Sequence, residues 1–128
     1  MHGGRIRGLP PKSLYWFAGS KRDLSAFPAE VRYRVGHALW EAQCGGKSSI
    51  AKPLKGFGGA GVLEVVDDFD GNAYRAVYMV RFADAVCVLH VFQKKSRSGI
   101  ATLKTDVDTI RRRLAIAERS HPEWRRSR

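Results

Sequence analysis

Four cations, a histidine and a glutamate sit in two apolar stretches of this chain, where core-building alone does not ask for them. VLEVV (62–66) carries Glu64. YRAVYMVRFADAVCVLHVFQKKS (74–96) carries Arg75, Arg81, His90, Lys94 and Lys95, with Phe92 among them. Cations beside an aromatic ring suit single-stranded nucleic acid, because the charges hold phosphates while the ring offers a base a stacking surface. Cleaving RNA asks for more: the 2′-oxygen must lose a proton, charge builds on the phosphorus oxygens, and the leaving 5′-oxygen must be protonated. Arg75 and a lysine can stabilise the phosphorane, His90 or Glu64 can serve as base, and Lys94 or His90 can serve as acid. The chain shows no paired-carboxylate cluster, so the expected route needs neither metal nor cofactor. Each residue also has a structural reading: Arg75 as a strand cation paired with Glu64, His90 as a hydrogen-bonded structural histidine, Phe92 as core, and Lys94–Lys95 as a solvated strand end.

The elements that must position these groups follow from periodicity. LYWFA (14–18) reads as a short strand, and residues 21–26 as one helical turn. From Pro28 the apolar residues Val31, Val35, Ala38, Leu39 and Ala42 recur at helical spacing and Gly45–Gly46 suits a stop, which predicts an amphipathic helix over 28–44. Its outward face carries Arg32, Arg34 and Glu41, with His37 and Trp40 packing between the faces. GGKSSIAKPLKGFGGAG (45–61) is a glycine-rich connector without a nucleotide-loop pattern, expected to be a mobile loop presenting Lys47, Lys52 and Lys55. Strands follow at 62–66, 73–82 and 85–95, the first two joined by a hairpin turn at Asp70–Gly71. Thr105, with Asp108 three residues on, can cap a last helix with the apolar stripe Val107, Ile110, Leu114 and Ala117, which Pro122 ends.

If Ala83–Asp84 makes a two-residue turn, Arg81 faces Val86, Met79 faces Val88, Val77 faces His90 and Arg75 faces Phe92. The Asp70–Gly71 turn sets Glu64 opposite Val77 and Val66 opposite Arg75. Alternation along strands then gathers Glu64, Arg75, His90, Phe92 and Lys94 on one mixed side of the sheet. The other side, with Ala76, Tyr78, Val80, Cys87, Leu89 and Val91, is expected to pack on the helices as the core.

Length and charge bound the whole. At 128 residues the chain is one domain by length. The expected division is a flexible basic N-terminus at 1–12, a domain at 13–121 and a basic tail at 122–128. Lys and Arg number 23 against 12 Asp and Glu, a formal charge of +11, which favours polyanionic partners. No run approaches the roughly 20 apolar residues of a spanning helix and the N-terminus has no apolar signal core, so a cytoplasmic protein with no membrane partner is expected. Cys44 and Cys87 lie in helical and strand patterns, apart from any Cys/His cluster, and read as buried thiols.

AKPLKGFGGAGVLEVV, YRAVYMVRF, VCVLHVFQKKS and GIATLKTDVDTIRRRL, in this order and spacing, resemble the phage-derived branch of the RelE/HigB toxin superfamily over roughly residues 13–120. The resemblance implies a compact α+β fold, an antiparallel sheet with N-terminal helices packed on one face and a C-terminal helix. It implies a type II toxin that cleaves messenger RNA, usually on the ribosome, by attack of the 2′-hydroxyl on the adjacent phosphate. It also implies a neutralising antitoxin, commonly a helix-turn-helix protein. Arg75 corresponds to the arginine expected at the scissile phosphate, Lys52 and Lys55 to phosphate contacts, and Phe92, Lys94 and Lys95 to the segment near the acid or base. Two departures stand out. No tyrosine follows Tyr78, which leaves that proton-transfer role to Lys94 or His90, and Leu103 replaces the usual proline in IATLK. The superfamily also contains gyrase-inhibiting ParE-like toxins without nuclease residues, and a nucleic-acid-binding module that has lost activity is a third reading of the same fold.

Overall fold

A computed structural model describes residues 10–94 and 104–121. It shows an α+β domain in the order β1 (Ser13–Trp16), α1 (Ser20–Ser25), α2 (Ala29–Gln43), β2 (Ala51–Pro53), β3 (Val62–Phe69), β4 (Asn72–Met79), β5 (Ala85–Lys94) and α3 (Lys104–Ser120). The five strands form one sheet in the order β1-β5-β4-β3-β2. The β3–β4–β5 ladder is antiparallel as expected, β2 adds an unexpected antiparallel strand at one edge, and β1 makes the sheet mixed by running parallel to β5 at the other.

Local chemistry explains most boundaries. Proline at the N-cap fits α2 because its fixed φ suits the chain just outside the first turn and it has no N–H to satisfy. At the other end Gly45 takes φ 90°, and the N–H groups of Gly45 and Gly46 donate to Ala42 O and Glu41 O at 3.0 and 2.9 Å, closing the helix in the left-handed manner glycine allows. The hairpin at Asp70–Gly71 has φ of 53° and 82°, both positive, as a two-residue turn matched to strand twist demands. It sets Phe69 against Asn72 and carries the register without slip to Val62–Met79. β3 therefore runs three residues beyond the expected VLEVV, through Asp67, Asp68 and Phe69.

The second hairpin differs from expectation. Arg75–Phe92 and Val77–His90 pair as predicted, but a bulge follows, so that Tyr78 pairs with Val88 and Met79 with Cys87. Leu89 is the extra residue. The ladder stops at Met79, the Arg81–Val86 pair does not form, and residues 80–84 make a longer connection than the two-residue turn. Cys87 and Leu89 consequently change sides. They pack with Val77, Met79, Ile110 and Leu114, while Val86 and Val88 join Ala76, Tyr78 and Val91 on the opposite face.

Two cores result, one on each face of the sheet. Under α1 and α2, Leu24, Phe27, Val31, Val35, Ala38, Leu39 and Ala42 close over Val65, Ala76, Tyr78, Val86 and Val88. Each fully buried Val or Leu contributes roughly 1.5–3 kcal/mol. Under α3, Ile110, Leu114 and Ala117 close over Val77, Met79, Cys87 and Leu89, joined by Leu54 and Phe57 from the connector. The expectation of one greasy face backed by a cation-lined reverse is thus corrected: α3 supplies a second apolar cover, because its stripe alone does not specify which side of the sheet it packs on.

Four smaller expectations also change. The connector is not a free loop, because Ala51–Pro53 pairs with β3, Arg111 donates to Gly56 O at 3.3 Å and its guanidinium lies 4.5 Å from the Phe57 ring centroid. His37 and Trp40 lie outward from α2, with Trp40 49% exposed and His37 stacked on Tyr33. Thr105 falls within α3, accepting through its carbonyl from Thr109 Oγ1 at 3.1 Å, and is no cap. From the basic N-terminal segment, Lys12 is tied down: its N–H donates to Gln43 O at 2.8 Å, and its Nζ donates to Val80 O at 3.1 Å. Residues 1–9, Lys95, Leu103, Pro122 and the basic tail lie outside the described residues. Cys44 and Cys87 are both free thiols, the first half-buried and the second buried.

Candidate functional site

Strand alternation and register assemble the site in rows across the sheet. One row runs Lys52, Glu64, Val77 and His90; the next runs Val66, Arg75 and Phe92; the third ends with Ala73 and Lys94. All project to the side covered by α3, at the end where its apolar stripe stops. Diagonal neighbours in such a ladder are within reach of long side chains. Arg75 Nη1 accordingly donates to Glu64 Oε2 at 2.7 Å.

This pair is far more enclosed than a solvated reverse face would make it. Arg75 is 7% exposed and Lys94 is 9% exposed. A buried guanidinium must be matched by an acceptor, since removing either partner of such a pair leaves an uncompensated charge. Glu64 provides that match and lies between Arg75 and Lys52, which stands directly across from it on edge strand β2 and is exposed. The structural reading of Arg75 as a strand cation paired with Glu64 is therefore correct as far as geometry goes. It leaves the guanidinium on one face with two further cations, Lys94 on the next strand and Lys52 beyond Glu64.

His90 is drawn into contacts that sequence reasoning missed. Its Nε2 donates to Asp106 Oδ1 at 2.8 Å, and its Nδ1 lies 3.5 Å from Arg113 Nη1, which also donates to Leu89 O at 2.8 Å. Burial and the neighbouring Arg112 push the Arg113 guanidinium down from its ordinary value, opposed by Asp23. The imidazole stacks on Phe92, with centroids 4.5 Å apart and planes at 22°. Spacing held the available signal: Asp106, Ile110, Arg113 and Ala117 recur along one line of α3, so the polar members flank its buried stripe.

The remaining candidates are placed elsewhere. Lys55 is exposed in the turn after β2, beside Gly56, on the Arg111 side of the connector. Arg81 lies beyond the end of β4, where it donates to Gly59 O at 3.2 Å. The strand from Arg75 to Met79 alone spans about 13 Å, so Arg81 does not join the Arg75 group. Its nearness to Gly61 has a local reason: a Cβ there would stand 2.5 Å from Arg81 Cγ, and Gly61 also takes φ +71°. Among the described residues no group of three or more His, Cys, Asp or Glu side chains gathers as a metal site, and no helix is long and apolar enough to cross a membrane.

The arrangement can hold an anion between Arg75 and a lysine, offer a carboxylate beside it, and present an aromatic ring to a base. No curated protein and no solved structure matches the chain. A family model does match, over residues 22–115, a span that contains α2, the β2–β5 ladder, the Glu64–Arg75 pair, His90, Asp106 and Arg113; its description is Phage derived protein Gp49-like (DUF891). That span is well over half of the sequence, and the chain belongs to this Gp49-like family of phage-derived proteins.

Proposed function

We propose that the protein is the toxin of a type II toxin–antitoxin system, of RelE/HigB type, and that it cleaves messenger RNA on the ribosome without a metal ion. The observation that carries this reading is the Glu64–Arg75 pair at 2.7 Å, set between Lys52 and Lys94 and directly across from Phe92. In the reaction the scissile phosphate takes the place of Glu64 at the guanidinium, exchanging one anion for another so that Arg75 is never left unmatched. Glu64, released, is the base that removes the 2′-proton, and Lys94 protonates the leaving 5′-oxygen. Arg75, with Lys52, stabilises the charge that grows on the phosphorane. Phe92 stacks the neighbouring base.

Family membership and the +11 charge support the reading. The same charge favours an acidic or helix-turn-helix antitoxin as the partner that keeps the toxin silent. Action on the ribosome sets the cytoplasm as its place of work.

Inducing the chain in cells without an antitoxin tests the proposal. Growth arrest with loss of translating messages is expected. Arrest with intact messages and accumulating cleaved DNA–gyrase complexes would replace it with the gyrase reading, and unimpaired growth with salt-sensitive RNA binding would replace it with a binding module.

A further inference from the structure

We infer that Asp106 and Arg113 are positioning residues of the RNA site, acting through His90 to hold the ring against which Phe92 stacks. The inference rests on the RNA reading above and assigns His90 a place in base recognition in preference to proton transfer.

The β5 bulge sets the direction of His90. With Leu89 inserted, both Leu89 and His90 project toward α3, and a bulge of this kind commonly re-aims a side chain beside a functional site. Arg113 braces the bulge by donating to Leu89 O at 2.8 Å. Asp106 and Arg113 stand seven residues apart, two turns of α3, so they bracket the imidazole from one side of the helix. A carboxylate only accepts hydrogen bonds and a guanidinium only donates them. The ring therefore carries its proton on Nε2, toward Asp106 Oδ1 at 2.8 Å, and turns its Nδ1 lone pair toward Arg113 Nη1 at 3.5 Å.

Both nitrogens are thereby committed to α3, and neither is offered to a 2′-hydroxyl. What remains for substrate is the ring stack. His90 backs Phe92 with centroids 4.5 Å apart, and Phe92 is the direct cross-strand partner of Arg75. A backed ring beside a phosphate-binding arginine fits one ligand class: single-stranded RNA with an unstacked base next to the scissile phosphate. The charged groups that meet His90 are Asp106 and Arg113 from α3, and Arg75 on β4 is its diagonal neighbour across the ladder.

The test combines ring ¹⁵N spectroscopy of His90 in the free protein with programmed ribosomes carrying an A-site message. One message is cleavable; a second holds a 2′-deoxy substitution at the cut and 2-aminopurine beside it. His90 is expected as the Nε2–H tautomer at neutral pH. Asp106→Ala is expected to weaken 2-aminopurine quenching and raise KM about tenfold, with the pH profile of kcat unchanged, and Asp106→Asn, which keeps an acceptor, restores most of the loss. Arg113→Ala should behave like Asp106→Ala. A proton on Nδ1 in the free protein overturns the inference whatever RNA does. So does a wild type that cleaves while Asp106→Ala keeps full quenching or loses a limb of its pH profile. A wild type that leaves the message whole overturns the RNA reading, and this inference with it.

Discussion

Under α1 and α2 the sheet presents Val65, Ala76, Tyr78, Val86 and Val88, all fully buried. Under α3 the same strands present Met79, Cys87 and Leu89 at one end and Arg75, Phe92 and Lys94 at the other, with the Glu64, Val77 and His90 row between them. The first face is covered along its length by a helix whose inward residues are all apolar. The second is covered by a helix whose apolar stripe, Ile110 to Ala117, gives way at Asp106 to polar contacts. One face is thus committed to stability, while the other divides its area between a core and a charged site. The helix that builds this core also reaches the site, through Asp106 and Arg113 at His90, and Arg75 and Lys94 are buried, so these charges need partners whether or not substrate is bound.

The largest effect should come from breaking the charged half. Arg75→Ala or Glu64→Ala each leaves a buried charge unmatched and should cost about 3–5 kcal/mol, read by urea unfolding. The Arg75→Ala/Glu64→Ala double variant should cost much less than the two singles together, because neither charge remains. Additive losses would mean that the two side chains do not depend on each other.

Next in size is the apolar face. Leu39, 2% exposed on the inward face of α2, should cost about 2–5 kcal/mol when cut to alanine, while cleavage per folded molecule stays as in the wild type. A specific loss of cleavage in the folded variant would mean that the α2 face takes part in the chemistry.

Tyr78 on that face makes the comparison pH-dependent. Burial, with Glu41 adding to it, pushes its phenol up to about 12, and its hydroxyl is buried without a hydrogen-bond partner. The unfolded phenol ionises near its ordinary value of 10, so the folded state binds the proton more tightly. Stability conferred by this difference is complete below pH 10 and is lost as pH rises toward 12, a change on the order of 2–3 kcal/mol. Tyr78→Phe should remove that alkaline slope at little cost near neutrality, which unfolding curves at several pH values would check.

The smallest effect is a matter of access. Burial, with Asp84 adding to it, pushes the Cys87 thiol up to about 11. A thiol reagent at neutral pH should modify half-buried Cys44 first and leave Cys87 unreacted until the protein opens.

How much of this was legible before folding depends on how local the cause was. The Asp70–Gly71 turn, the extent of α2 and the Arg75–Phe92 and Val77–His90 pairs are set by neighbouring residues and followed from the sequence. The bulge at Leu89 was not legible, because nothing in VCVLHVF distinguishes an inserted leucine from an ordinary strand residue; α3 packing decides it. Asp106 and Arg113 reach His90 across 16 and 23 residues, a contact that depends on where α3 lies. The pairing of β2 arose the same way, since Lys52 meets Glu64 only once the glycine-rich connector folds back.

The central claim is that the charged half of the α3 face cuts messages, and mapping the 5′ ends of cellular messenger RNA after induction tests it most directly. The wild type should be compared with Glu64→Gln, Arg75→Gln/Glu64→Gln and Leu39→Ala, each first shown to be folded. New ends at a fixed codon position in the wild type and in Leu39→Ala, and none in the two site variants, is the predicted result. Equal cutting in the wild type and the folded double variant would contradict it.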